Sequence, residues 1–154
     1  MEFTEMGSTW HVTFGNYRLK GFKNTLCLES ALGYWGLCTY NWRENLMIYR
    51  VCPEKAGTVW HDEVTTVFVA EIDVIECVSV DEFFDVTTPE YTIYQMISNK
   101  CHEFHLCEAI DMIYNWSSKS IVDIPKLEKM LKEHNLYDEL LRLKEVALEQ
   151  AEEG

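Results

Sequence analysis

The densest grouping of chemically versatile side chains is the run CHEFHLC, residues 101–107. Cysteine thiolates and histidine imidazoles both bind zinc, and four such ligands close a structural site. His102 and His105 share a helical face at three-residue spacing. Cys101 and Cys107, six apart, do not join them on one continuous helix, and the chain contains no C-x-x-C pair. The run therefore reads as the start of a helix carrying ordinary buried cysteines, and no metal ligand is assigned. Ser30 and Cys27 are the candidate nucleophiles beside five histidines. Neither sits in a G-x-S-x-G or a cysteine-hydrolase signature. There is no phosphate-binding P-loop and no G-x-G-x-x-G turn. Glu71 and Asp73 fall on one face of a strand, where like charges more often mean a solvated surface than a metal site. These patterns point to no catalytic residue and no cofactor, and to a protein that is not an enzyme.

The charge balance is more informative. Twenty-six acids stand against 13 bases, a net charge of −13 with neutral histidine. Binding to DNA or RNA requires lysine and arginine to displace counterions from phosphates. Arg18, Lys20 and Lys23, interleaved with Tyr17 and Phe22, give only a small footprint of that kind. Direct nucleic-acid contact is not expected. Between Lys55 and Lys100 there is no lysine or arginine, while Asp62, Glu63, Glu71, Asp73, Glu76, Asp81, Glu82, Asp85 and Glu90 fall inside the interval. Such a segment either keeps a strand face solvated or meets a basic protein partner.

The elements that must position these residues belong to one domain's length, 154 residues with 47% hydrophobic and 13% aromatic content. No apolar run approaches the length of a membrane span. MEFTEMGSTW lacks the basic start of a signal peptide, so reduced cysteines in the cytoplasm are expected. Up to about residue 86 the chain reads as strand-rich, and from 87 to 154 as helical. WHVTFGNYRL suggests a strand and turn. NTLCLESALGYWG, residues 24–36, predicts a short helix capped by Asn24 or Thr25 and ended by Gly36. LMIYRVC, TTVFVAEI, VIECVSV and FFDV predict strands. Thr88 with Pro89 opens a helix whose buried stripe is Ile93, Met96 and Ile97. A second helix spans about Glu103 to Trp116 on Leu106, Ile110, Ile113 and Tyr114. Asp123 with Pro125 caps a third on Leu127, Met130 and Leu131. The last starts near Tyr137 and carries Leu140, Leu141, Leu143, Val146, Ala147 and Leu148. A mixed sheet followed by about four helices is an α+β fold.

Two motifs then stand out in order. LCLESALGYWGL, residues 26–37, is similar to the S-x-x-S-A-L-x-x-H-G-L signature of the AbiEi family, the antitoxins of type IV abortive-infection systems. Glu29, Ser30, Ala31, Leu32, Gly36 and Leu37 match, and Trp35 stands where histidine is usual. VTTPEYTIYQMI, residues 86–97, resembles the family's v-x-S-P-E-R-T-L-x-D-L-I block. Pro89, Glu90, Thr92, Ile93 and Ile97 match, while Tyr91 replaces the arginine and Gln95 the aspartate. If those two formed an ion pair, Tyr91 and Gln95 are a matched neutral substitute. The resemblance covers about residues 15–150 and implies the family's C-terminal domain. A winged helix takes roughly 60 residues or more, and only about 25 precede the first motif.

The resemblance thus implies a protein-interaction module that neutralises a nucleotidyltransferase-type toxin or defence protein. The acid-rich interval supports an alternative, an acidic inhibitor that imitates nucleic acid and blocks a basic nucleic-acid-binding protein. Under either, the expected contact residues are Glu71, Asp73, Glu76, Asp81 and Glu82. Ser30 and Glu90 join them as motif members, although a serine inside a helix and a glutamate in a first turn also have ordinary structural uses.

Overall fold

Threonine, valine, isoleucine and aromatic residues dominate the segments that pair as strands, as their branched or flat side chains favour a pleated surface. In the computed structural model, which describes residues 13–14, 24–62, 64–72, 76–100, 103–115 and 121–153, six strands form one mixed sheet. They are β1 (Thr25–Leu26), β2 (Met47–Val51), β3 (Val59–His61), β4 (Thr65–Val69), β5 (Cys77–Ser79) and β6 (Asp85–Thr87). Their order across the sheet is β3-β4-β2-β1-β6-β5. β2 runs parallel to β4 and β1 parallel to β6, while β1–β2, β3–β4 and β5–β6 are antiparallel. Among the described residues the α-helical elements with bounds are α1 (Leu28–Tyr34), α2 (Pro89–Ser98), α3 (Glu103–Asn115), α4 (Ile124–Glu133) and α5 (Tyr137–Glu153). The architecture is α+β, with four of these five helices in the C-terminal half.

The described residues fall into two compact units. One comprises those up to Ala31 together with Asn41–Thr88, and the other Leu32–Tyr40 together with those from Pro89 on. In the first unit the core lies along β2, where Met47, Ile48 and Tyr49 are buried, and continues into Phe68, Phe84 and Val86. Phe84 meets Phe14 and Trp42 with ring centroids 5.3 and 5.9 Å apart. β3 went unforeseen because all three of its residues are exposed and no apolar alternation marks it. Trp60 holds it instead, stacking on Phe68 of β4, with the Lys55 ammonium over both rings.

The helix expected over 24–36 is shorter than its sequence suggests. Thr25 and Leu26 are taken by the sheet, and Asn24 does not cap: its amide donates to the carbonyls of Phe14 and Phe83 at 3.0 and 2.9 Å. The chain turns from β1 into α1 at Leu28, whose φ of 49° is rare for a leucine. The far end is as expected. Gly36 takes φ 76°, Leu37 N–H reaches back to the Leu32 carbonyl at 3.0 Å, and the helix stops.

In the second unit α2 packs on α4 and α3 on α5, and the α2–α3 and α4–α5 pairs are also in contact. The buried stripes repeat at helical spacing: Ile93, Met96 and Ile97; Leu106, Ile110 and Ile113; Leu127 and Leu131; Leu140, Leu143 and Ala147. Asp123 caps α4 by accepting from Lys126 N–H at 3.1 Å, with Pro125 in the first turn. On α5, Leu141 and Leu148 do not join the core, because they lie off the 140–143–147 stripe and face solvent. No described helix is long and apolar enough to cross a membrane.

Candidate functional site

The acid-rich interval leaves its charge mainly on connections rather than on strand faces. Glu71 follows β4 and is exposed, and Asp81 and Glu82 are exposed in the turn between β5 and β6. Strand directions place these three beyond the same end of the sheet. β4 and β5 are four places apart, so at about 4.8 Å per strand the acids spread over roughly 15–20 Å. Asp81 also builds its own turn, since one carboxylate oxygen accepts from Phe83 N–H at 2.7 Å and Phe84 N–H at 3.2 Å. Glu76 differs from expectation. It is half-buried and accepts from the Thr88 hydroxyl at 3.2 Å, while its backbone carbonyl takes Thr88 N–H at 2.8 Å. It anchors the end of β6 rather than standing free in solvent. Asp73 lies outside the described residues, as do Arg18, Lys20 and Lys23.

The two motif residues are structural in their contacts. Ser30 is fully buried. Its hydroxyl donates to the Asn45 carbonyl at 2.8 Å and accepts from Met47 N–H at 2.9 Å, fastening α1 to the start of β2. Glu90 is buried in the first turn of α2. Its carboxylate accepts from Asp123 N–H at 2.7 Å, just where α4 is capped. Neither side chain is presented to a partner. Tyr91 and Gln95 are bonded to each other, the Gln95 amide donating to the Tyr91 hydroxyl at 2.8 Å. They form the neutral i,i+4 pair that their types suggested.

The second unit holds a different constellation. The loop closed by Gly36 carries Cys38 and Thr39 onto α3. There Cys38 Sγ, a ring nitrogen of His105 and a carboxylate oxygen of Glu108 all lie within 4.8 Å of one another. His105 and Glu108 are three apart on one helical face, and His105 Nδ1 is 2.9 Å from Glu108 Oε1. Thr39 fixes the carboxylate further. Its hydroxyl donates at 3.1 Å to either oxygen, and its backbone N–H approaches Oε1 at 3.3 Å. The Tyr40 ring meets the His105 imidazole edge to face at 5.5 Å. All three converging side chains are half-buried. A cleft of about 230 Å³ opens beside them, lined by Cys38, Thr39, Glu108, Asp111 and Met112.

The CHEFHLC run supplies only one of these three groups. Cys107 turns into the core, where burial, and then the charge of Glu103, push its thiol above the usual range. Cys101 and His102 lie outside the described residues. The partner that His105 does find, Cys38, comes from the loop after α1, and no local spacing announces it. The His105–Glu108 half of the cluster was open to sequence reasoning as an i,i+3 pair. Ser30 and Cys27, the candidate nucleophiles, are both buried, and Ser30 is committed to backbone groups.

No protein-family model, no curated protein and no solved structure matches the chain.

Proposed function

We propose that the chain is an acidic interaction module that acts by binding a basic protein partner. The observation that supports this is the set of exposed acids Glu71, Asp81 and Glu82 beyond one end of the sheet, within an interval that contains no lysine or arginine from 56 to 99. Carboxylates on the connections at one end of the sheet present the partner with a patch of negative charge. On the motif resemblance, the partner is a nucleotidyltransferase-type toxin or defence protein, and the chain is its antitoxin-like neutraliser. The nucleic-acid mimic uses the same surface against a basic groove. It is favoured by one feature, the 15–20 Å spread of the acids, which covers about five phosphate steps at 3.4 Å per strand position.

The setting is cytoplasmic in this reading, and the free thiols of Cys52 and Cys107 agree with a reducing compartment.

The test is affinity capture by the full chain at low salt, elution at rising salt, and the same experiment with Glu71→Lys combined with Glu82→Lys. Asp81 is left in place because it holds its turn. A basic partner held by the wild type and lost by the charge-reversed chain supports the proposal. Screening lengths of about 10 Å at 0.1 M salt put its release in the moderate-salt fractions. A partner that binds both chains equally refutes the acidic surface. Rescue of growth on co-expression separates a toxin from a nucleic-acid enzyme that is merely inhibited.

A further inference from the structure

We infer that Cys38, His105 and Glu108 form a binding site for a divalent cation of the zinc type, independent of the acidic surface described above. One sulfur, one imidazole nitrogen and one carboxylate oxygen form a donor set that borderline-soft cations prefer to hard ones such as magnesium. The three donors come from two segments of the same unit, the loop after α1 and one face of α3. They already stand within 4.8 Å of one another. In a tetrahedral zinc site the donors stand roughly 3.3–3.7 Å apart. Closing on a cation therefore asks for small side-chain shifts, the His105–Glu108 contact opening from 2.9 Å and the thiol moving in.

The same distances argue against the other chemistry open to these residue types. A cysteine–histidine–carboxylate relay places thiol and carboxylate on opposite ring nitrogens, each at a hydrogen bond of about 3 Å. It holds them roughly 7 Å apart. Here thiol and carboxylate are both within 4.8 Å of one nitrogen and of each other. Donors that converge on a point suit a cation; donors strung in line suit proton transfer.

The surroundings complete the arrangement. Thr39 holds the Glu108 carboxylate by two groups, as outer partners of metal ligands do. Tyr40 packs against the imidazole and limits its rotation. The cleft beside the cluster is also lined by Asp111, one turn beyond Glu108 on α3, which adds an oxygen donor to its wall. Binding converts the Cys38 thiol to thiolate and releases its proton to solvent, so affinity rises with pH.

The experiment is a titration of the full, reduced chain with cobalt(II) as a spectroscopic stand-in and with zinc in competition against a chromophoric chelator. The wild type is expected to bind one equivalent and to show a thiolate-to-cobalt charge-transfer band. Cys38→Ser should abolish the band, His105→Gln and Glu108→Gln should each weaken zinc at least about tenfold, and Thr39→Val should do so by about tenfold through the carboxylate it holds. Cys52→Ser and Cys77→Ser serve as controls and should keep the band. Circular dichroism of each variant separates loss of a ligand from loss of the fold. Absence of a sulfur band in the wild type, or a band that survives Cys38→Ser in a folded chain, overturns the assignment.

Discussion

Replacing Ser30 by alanine separates a structural from a recognition role for the first motif. The hydroxyl of the fully buried Ser30 makes two bonds, one to the part-buried Asn45 carbonyl at 2.8 Å and one from the buried Met47 N–H at 2.9 Å. Alanine removes the hydroxyl acceptor and leaves the Met47 N–H unpaired inside the protein. An orphaned buried donor costs about 1–3 kcal/mol, and the lost bond to Asn45 places the expectation near the middle, about 2 kcal/mol. For a chain of this size that corresponds to a fall in melting temperature of about 4–8 °C. Thermal melting by circular dichroism measures it. Urea unfolding should give the same loss with an unchanged slope, because the surface exposed on unfolding is the same. Ser79→Ala, on the exposed edge strand β5, is the matched control and should stay within about 0.5 kcal/mol of the wild type. A Ser30→Ala chain as stable as the wild type, or one equally stable but unable to bind its partner, would show that the hydroxyl belongs to a contact surface and that the fastening of α1 to β2 lies elsewhere.

Two further outcomes follow from single side chains in the second unit. Glu90→Ala should cost about 1–3 kcal/mol by orphaning Asp123 N–H at the α4 cap, whereas Glu90→Gln keeps an acceptor there and should recover most of the loss in the same urea assay. Tyr114 donates to Glu128 at 2.7 Å, and burial first, then that bond and the carboxylate's charge, push its ionisation well above the usual tyrosine range. Because the folded state holds this proton more tightly than the unfolded one, its contribution to stability is complete below about pH 10 and is lost as pH rises further. Ultraviolet titration should find one tyrosine that resists ionisation in the folded chain, and Tyr114→Phe should flatten the alkaline decline in melting temperature; an unaltered decline would place the slope on other groups.

Where the sequence was readable, a local physical signal coincided with the element. Pro89 and Pro125 open α2 and α4 because a first-turn proline forfeits no helical bond, and Asp123 has the carboxylate to cap the second. The stripes on α2 and α3 could be read off because a helix buries every third or fourth residue. The break between β1 and α1 could not. It is made by Leu28 at φ 49°, a residue type that carries no turn signal and is held there by its surroundings. β3 is an exposed edge strand that depends on Trp60 reaching Phe68, a contact between side chains eight residues apart that no period of two reveals. The acids were visible as a count, but their placement was not. Glu76 and Glu90 have bonding partners inside the fold, while Glu71 and Glu82 remain on the surface. Cys38 and His105 meet through the path of the chain over 67 intervening steps, so only the helical pair of His105 with Glu108 could be anticipated.

The motif residues Ser30, Gly36 and Glu90 each meet a need of the fold itself. Ser30 ties a helix to a strand, Gly36 ends that helix in the left-handed region, and Glu90 holds the start of α4. Each satisfies a backbone group or a conformation that any chain tracing this path would have to satisfy, because an unpaired buried donor or a non-glycine residue at the αL position is costly. Residues of these types are therefore accounted for by this fold's own needs, and none of these groups is offered to a partner. Under the proposed function, recognition falls to the exposed carboxylates of Glu71 and Glu82. Substitutions at the first set of positions should act on stability, and at the second set on binding. A Ser30 or Glu90 substitution that weakens binding and leaves stability unchanged would refute this division.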